Sequence, residues 1–180
     1  MSNSSNSETA HSQDSHDLEG GNFLLWTVTT SAVAALAAWL STLLSLEVWV
    51  MFSGFIAWFI RPTSLKSSIS AMLCLWFGIV IGTVGHHIGG VLGPVLGHVG
   101  LPIIVFAVTV LIASLRTHQV LGNMLAWFLG LVTYFAAEID LSFASYAHLG
   151  FATTLGGFAG YTCQELNRRL AVLFPARITR

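Results

Sequence analysis

The chain has 180 residues, of which 54% are apolar and 8% are charged. A soluble domain of this size could not cover its surface with so few charges, since globular proteins carry about 25% charged residues. The net charge is −1 and the basic residues are spread over several loop ends, so nothing indicates a nucleic-acid partner. The composition therefore predicts an integral membrane protein, with the lipid bilayer as its surroundings.

The first 22 residues differ in composition from the rest. They contain no Lys, Arg, Val, Ile or aromatic residue and are rich in Ser, Asn, His and acids. Such a segment cannot bury enough apolar surface to offset the loss of chain entropy, so we expect residues 1–22 to form a disordered polar cytoplasmic tail. The segment also lacks the basic start and apolar run of a secretory signal.

Six apolar segments follow and form the predicted membrane domain, residues 23–174. A helix needs about 20 residues to span the hydrocarbon layer. The segments are predicted at about 23–44, 46–60, 67–84, 101–115, 120–137 and 146–166. Several are short, either because their true ends extend further or because they line a cavity. The sequence thus predicts an all-α integral membrane fold with six transmembrane helices.

All seven Lys and Arg residues fall on the same side of this topology. Arg61 and Lys66 lie between segments two and three, and Arg116 lies between segments four and five. The others follow segment six: Arg168, Arg169, Arg177 and Arg180. Cytoplasmic loops of membrane proteins carry an excess of Lys and Arg. We therefore expect a multi-pass protein of the inner-membrane type with both termini in the cytoplasm, and residues 175–180 as a short basic tail.

The sequence contains a weak internal repeat. The triplet at 57–59, AWF, resembles TYF at 133–135, and each precedes a GxxxG pair: Gly78 with Gly82, and Gly156 with Gly160. The match relates the second helix to the fifth and the third to the sixth, so the two copies would point in opposite directions. A 3+3 inverted repeat of this kind is common in transporters. Chance is the other interpretation, because such motifs occur in any apolar chain.

Residues 85–100 read GHHIGGVLGPVLGHVG, with Gly85, Gly89, Gly93 and Gly97 at every fourth position. On a helix these glycines would share one face, where another helix could pack closely. Pro94 and the many glycines argue against an uninterrupted helix. We expect a Gly-rich outer turn or half-helix between helices three and four; a flexible, partly buried connector is the alternative.

Every titratable group on the outer side is a histidine or an acid. They are His86, His87, His98, His148, Glu47, Glu138 and Asp140. They could be solvated loop residues, or they could form a pH-responsive pore or gate, because a histidine near a carboxylate titrates close to physiological pH. A divalent-metal site is a third interpretation. No two of these histidines are three or four residues apart, so we predict no metal and no cofactor.

The predicted spans contain no Asp, Glu, Lys or Arg near mid-membrane, which argues against an ion-coupled pump with a buried proton relay. Their Ser, Thr and Asn side chains suit a path for small neutral solutes, although hydroxyls also bond to their own helix. No nucleophile–base arrangement, phosphate loop or nucleotide fingerprint is present, so we do not expect an enzyme.

Two stretches resemble a known family. In the first, the helix with Trp39 and residues 43–49 leads into FSGFIAWFIRPTSLKSSISA; the second is HLGFATTLGGFAGY. On these residues the run from Ala37 to Leu170 resembles the YcdZ-like family of small bacterial inner-membrane proteins, a domain of unknown function. The resemblance implies location in the inner membrane and transfers no functional residue. The polar N-terminal tail and the His-rich turn depart from the family pattern.

Together these features predict a small-solute channel or transporter that forms a homo-oligomer and responds to pH through its outer histidines. The alternative is a non-transporting membrane scaffold or assembly subunit of a larger complex.

Overall fold

The computed structural model describes residues 5–60, 64–137 and 142–173, with side chains from residue 24 onward in those ranges. All regular elements in this part of the chain are helical, which confirms the all-α class. The α-helices are α1 (Ser5–Leu43), α2 (Val48–Phe59), α3 (Leu65–Leu96), α4 (Gly100–Ser114), α5 (Met124–Ala136) and α6 (Phe143–Leu173). Short 3-10 turns at Gly97–Val99 and Leu115–Thr117 flank α4.

Two helical stretches, Leu24–Leu43 and Leu65–Thr117, are long and apolar enough to cross a membrane by length and composition. The apolar helices α2 and α5 are shorter. Large apolar side chains on these stretches are exposed. The exposed fraction is 78% for Val91, 81% for Val95 and 71% for Phe106. Exposing contiguous apolar surface to water costs about 25 cal/mol per Å². A surface of this kind is typical of a protein surrounded by lipid or by partner helices.

The chain divides into two compact units. One comprises residues 1–36 and 161–180, and the other comprises residues 37–160, so α1 and α6 contribute to both. In the second unit, one buried cluster includes Val50, Trp58, Leu75, Tyr134 and Leu149. A second buried cluster includes Ala71, Cys74, Ile112, Ala126 and Trp127. These clusters hold α2, α3, α5 and the first half of α6 in place.

Helix α1 begins earlier than composition predicts. Residues 5–22, for which we expected disorder, have a helical backbone that continues into the apolar part of α1. Once the apolar part has formed a helix, each added residue gains a hydrogen bond without a new nucleation cost. The helix continues through Gly20 and Gly21, although glycine is unfavourable inside a helix. The domain limits at 22 and 174 stay predictions.

The glycine-rich stretch does not form a separate half-helix or a turn. Helix α3 continues through Pro94 to Leu96, and only residues 97–99 form the turn. Pro94 lies near the helix end and removes a single backbone bond, the one to the Gly90 carbonyl. The remaining backbone groups must bond within the chain in apolar surroundings, which favours continuing the helix. Gly97, with φ +52°, then ends α3 in a conformation that glycine adopts without strain.

The turn between α1 and α2 uses a residue with an unfavourable conformation. Ser45 has φ 56°, in the left-handed region. Its N–H donates to the Thr42 carbonyl at 3.1 Å, and the Leu46 N–H donates to the Ser41 carbonyl at 2.8 Å. These two bonds form a Schellman motif, whose left-handed position is usually glycine. A residue with a Cβ there loses about 1–2 kcal/mol.

We therefore expect Ser45→Gly to stabilise the protein by about 0.5–1 kcal/mol, after subtracting the greater freedom of glycine in the unfolded chain. Thermal unfolding followed by tryptophan fluorescence in mild detergent would measure the effect. Ser45→Ala is the matched control, because alanine keeps the Cβ and should give no increase. Equal melting temperatures for the glycine and alanine variants would contradict the assignment of strain to Ser45.

Candidate functional site

Helices α2 and α6 cross with their backbones in direct contact. A Cβ atom built on Gly156 would collide with the Met51 carbonyl oxygen and would lie 2.7 Å from the Phe55 nitrogen. A Cβ on Gly54 would collide with the Thr153 carbonyl oxygen. No side chain fits between the helices at these two positions, so only glycine allows this approach.

Helices α3 and α5 cross in the same way. A Cβ on Gly78 would collide with the Trp127 carbonyl oxygen and would lie 3.0 Å from the Gly130 Cα. A Cβ on Gly130 would collide with the Leu75 carbonyl oxygen. The Trp127 ring stacks on Phe77 at 5.7 Å between ring centroids, and its indole N–H donates to the Leu121 carbonyl at 2.8 Å. This crossing is therefore fixed by a backbone contact and by one large buried side chain.

The two crossings correspond position by position. One constant sequence offset relates three α2 positions to three α5 positions: Met51 to Trp127, Gly54 to Gly130, and Trp58 to Tyr134. A second constant offset relates three α3 positions to three α6 positions: Leu75 to Thr153, Gly78 to Gly156, and Gly82 to Gly160. The collision of Gly156 with the Met51 carbonyl oxygen corresponds to that of Gly78 with the Trp127 carbonyl oxygen. The collision of Gly54 with Thr153 corresponds to that of Gly130 with Leu75.

A third pair of contacts follows the same correspondence. A Cβ on Gly160 would lie 2.7 Å from the Trp58 side chain, and a Cβ on Gly82 would lie 2.8 Å from the Tyr134 side chain. The helix starts agree as well, because the second offset takes Leu65, where α3 begins, to Phe143, where α6 begins. The sequence motifs suggested which helices correspond, but the contacts between them became visible only in the folded chain.

The other predicted packing glycines lie in more open surroundings. Cβ atoms on Gly85 and Gly89 would lie 3.5 and 3.3 Å from the Ile104 side chain of α4. Those on Gly93 and Gly97 would meet no atom within 4 Å. The glycine ladder therefore contacts α4 at one end and borders open space at the other.

The predicted outer residues are divided among different places. Glu47 and His148 line the same small cavity of about 290 Å³. His86 lines a different cavity, and its ring meets the Tyr134 ring edge-on at 6.1 Å between centroids. His87 and His98 are exposed. Glu138 and Asp140 lie outside the described residues. Among the described residues, no group of three or more His, Cys, Asp or Glu side chains could hold a metal ion.

The cavity with His86 lies between α3, α4 and α5 and has a volume of about 500 Å³. The glycine ladder of α3 forms one wall, and aliphatic and aromatic side chains of α4 and α5 form the others. The four-residue glycine spacing pointed to this face of α3. The spacing alone could not show that α4 and α5 leave a space beside this face of α3.

The unit of residues 1–36 and 161–180 contains a polar cluster of its own. Cys163 Sγ and Asn167 Nδ2 each donate to Thr30 Oγ1 at 3.3 Å, which joins α1 to α6. Glu165 forms ion pairs with Arg168 and Arg169, both at 2.8 Å. The arginines are largely exposed, and such pairs contribute at most about 1 kcal/mol. These ion pairs are features of a solvated helix end.

Residues 27–167 match the model of a family described as "Protein of unknown function (DUF1097)". The match covers most of the chain and agrees with the resemblance to an uncharacterised family, while the YcdZ-like name stays a prediction. No curated protein and no solved structure matches the chain significantly.

Proposed function

Since the chain belongs to the DUF1097 family, whose function is unknown, we propose a function from its own contacts. The protein is a six-span membrane protein that carries a small solute across the bacterial inner membrane, and it acts by transport rather than by catalysis. Both termini face the cytoplasm, as the distribution of Lys and Arg supports. Copies of the chain associate through the exposed apolar helix faces.

The matched pair of glycine crossings is the observation that carries this proposal. Helices α1–α3 form one repeat and α4–α6 form the other, so that α2 and α6 cross between repeats, and so do α3 and α5. Each repeat has three spans, so the second is inverted in the membrane relative to the first. Transporters with inverted repeats place the solute at the repeat interface and expose it to either side by rocking one repeat against the other.

The centre of the second unit supports a moving rather than a permanently open path. Thr133 and Thr153 are fully buried, and each hydroxyl donates to the carbonyl four residues earlier on its own helix at 2.8 Å. The Thr153 hydroxyl also accepts the Trp76 indole N–H at 3.1 Å. These two threonine hydroxyls are thus occupied in this state, and a solute needs a shift of the helices to reach them.

The cavity with Glu47 and His148 is the proposed outer entrance. Glu47 and His148 line this cavity together, which supports the proposal. A positive charge on the histidine would attract it to a carboxylate of the same cavity, and this attraction would favour a closed entrance at low pH.

Flux through proteoliposomes tests the proposal. The purified protein, shown to be folded, is supplied with a panel of small neutral solutes, weak acids and divalent metals at outside pH 5 and pH 7.5. We expect selective flux above empty liposomes, and less flux at pH 5. His148→Gln should remove most of this pH difference because the glutamine cannot be protonated.

His87→Gln is the matched control, since His87 is exposed and does not line the cavity with Glu47. It should keep the pH difference of the wild-type protein. Flux that changes equally in both variants would contradict a gate at His148. No flux of any solute from folded protein would contradict transport itself.

A non-transporting scaffold is the second candidate, and the exposed apolar surface of α4 favours it. In that helix Leu101, Val105 and Phe106 are more than half exposed. A partner subunit could cover this face. Recovery of one stable, stoichiometric heteromeric partner after mild detergent extraction, together with absence of flux, would support the scaffold. A homo-oligomer with solute flux would support transport.

A further inference from the structure

The cavity between α3, α4 and α5 has the size and the lining of a small-molecule site. Its volume of about 500 Å³ lies within the range of about 300–1,000 Å³ that such sites occupy. Its walls are apolar apart from His86 and Thr109. Binding sites of this kind combine a mostly apolar surface with a few polar groups that orient the ligand.

The space comes from the residues that form one wall. Cβ atoms on Gly90 and Gly93 would meet nothing within 4 Å, so the missing side chains leave open volume. In the other proposed repeat, the positions equivalent to Gly90 and Gly93 are Arg168 and Ala171, both of which carry a side chain. The open volume is therefore particular to α3 and is not a general result of the helix arrangement.

One end of the cavity offers a specific pair of polar groups. His86 can donate a hydrogen bond from its ring. One turn further along the same wall, the Gly90 carbonyl loses its intrahelical donor because Pro94 has no N–H. The described lining residues include no Asp or Glu. A carboxylic acid group suits this end, since its carbonyl oxygen accepts from His86 and its hydroxyl, when protonated, donates to Gly90.

We propose that this cavity binds one fatty acid molecule, with its carboxyl group at His86 and its chain along the glycine wall of α3. At about 30 Å³ for each water-sized group, a volume of this size holds roughly 16 such groups. That is enough for one acyl chain, and an ester-linked phospholipid chain has no hydroxyl at this end that could donate to the Gly90 carbonyl. This binding site goes beyond the proposed transport and does not depend on it.

Photolabelling of the full-length protein in liposomes tests the proposal. The probe is palmitic acid carrying a diazirine on its chain, and labelled peptides are mapped by mass spectrometry. We expect labels on the outer half of α3 and on α4, displaced by unlabelled palmitate. Gly93→Leu should reduce this labelling to at most about a tenth, because its side chain fills the cavity without a clash. Val105→Trp fills the same space from α4 and should act likewise if the Gly93 variant does not fold.

His86→Leu, which removes the ring N–H donor, tests the position of the carboxyl group. It should reduce labelling by the acid several-fold and leave unchanged the labelling by the corresponding diazirine hexadecanol, which has no carboxyl group. Gly150→Leu is the matched control. Gly150 also borders open space but lines a different apolar cavity, of about 490 Å³, with Trp76 and Phe151. Labelling of that variant on α3 and α4 should equal that of the wild-type protein.

Two results would overturn the proposal. Equal labelling of all lipid-facing helices, unchanged in folded Gly93→Leu and Val105→Trp proteins, would mean that the probe reports only surrounding lipid. Absence of label on α3 and α4, together with loss of a homo-oligomer in the same variants, would mean that a second copy of the chain covers the cavity. Neither result depends on whether the protein transports a solute.

Discussion

Replacing Gly156 with alanine is expected to destabilise the protein by at least about 2 kcal/mol, although the change adds a single methyl group. The new Cβ would collide with the Met51 carbonyl oxygen, and a backbone atom cannot rotate away as a side chain can. Helices α2 and α6 would have to separate, which would open space around the fully buried Met51 side chain. Unfolding in mild detergent, followed by tryptophan fluorescence, would measure the loss.

The control for this variant lies on the same helix. A Cβ on Gly150 would meet no atom within 4 Å, so Gly150→Ala should change stability by no more than about 0.5 kcal/mol. Gly78→Ala, at the equivalent position of the α3–α5 crossing, should cost about as much as Gly156→Ala if the two crossings are equivalent. Wild-type stability of both crossing variants would show that the helix backbones are not in contact.

Trp127→Ala is expected to cost about 3–5 kcal/mol, the usual cost of removing a buried aromatic side chain. The Trp127 side chain is only 3% exposed, stacks on Phe77 and donates to the Leu121 carbonyl. Its removal would leave a void beside the α3–α5 crossing. Trp127→Phe keeps most of the packing and loses the hydrogen bond, so its cost should be about 1 kcal/mol.

Equilibrium unfolding in a graded mixture of mild and denaturing detergents can rank these variants. Trp39→Ala provides the matched comparison, because the Trp39 ring is 62% exposed and its loss leaves no internal void. We expect that variant to lose far less stability than Trp127→Ala. If both alanine variants lose the same amount, the packing of Trp127 against α3 is not what stabilises the crossing.

The glycine crossings also constrain how the protein could move. At both crossings carbonyl oxygens and glycines face each other with no side chain between them. At the glycine positions themselves a small sliding motion requires no exchange of interlocked side chains, but the Trp127 ring would have to repack at the α3–α5 crossing. This property suits the rocking of one repeat against the other that we propose. It also explains why larger residues at these four glycines should impair function and stability together.

Some features of the protein could be read from the chain without its tertiary structure. The low charge and the apolar segments predicted an all-helical chain with exposed apolar helices, because these properties depend on composition and on local periodicity. The spacing of Gly78 with Gly82 and of Gly156 with Gly160 predicted faces where helices could approach. These are properties of single segments, and a one-dimensional pattern is enough to show them.

Other features were decided by contacts between distant segments. The sequence favoured a break at Pro94, whereas α3 continues to Leu96 because internal backbone bonding outweighs the loss of one bond near the helix end. The outer histidines looked alike in the sequence, yet His148 lies with Glu47 and His86 lies beside the glycine wall.

The sequence by itself determined which helix faces are small or apolar. The tertiary structure decided which carbonyl oxygen contacts each crossing glycine. It also decided that no helix in the described part of the chain packs against the glycine ladder of α3 at Gly93 and Gly97. The physical reason is that periodicity describes one helix surface at a time, whereas a crossing or a cavity depends on the shapes of two or three helices packed together.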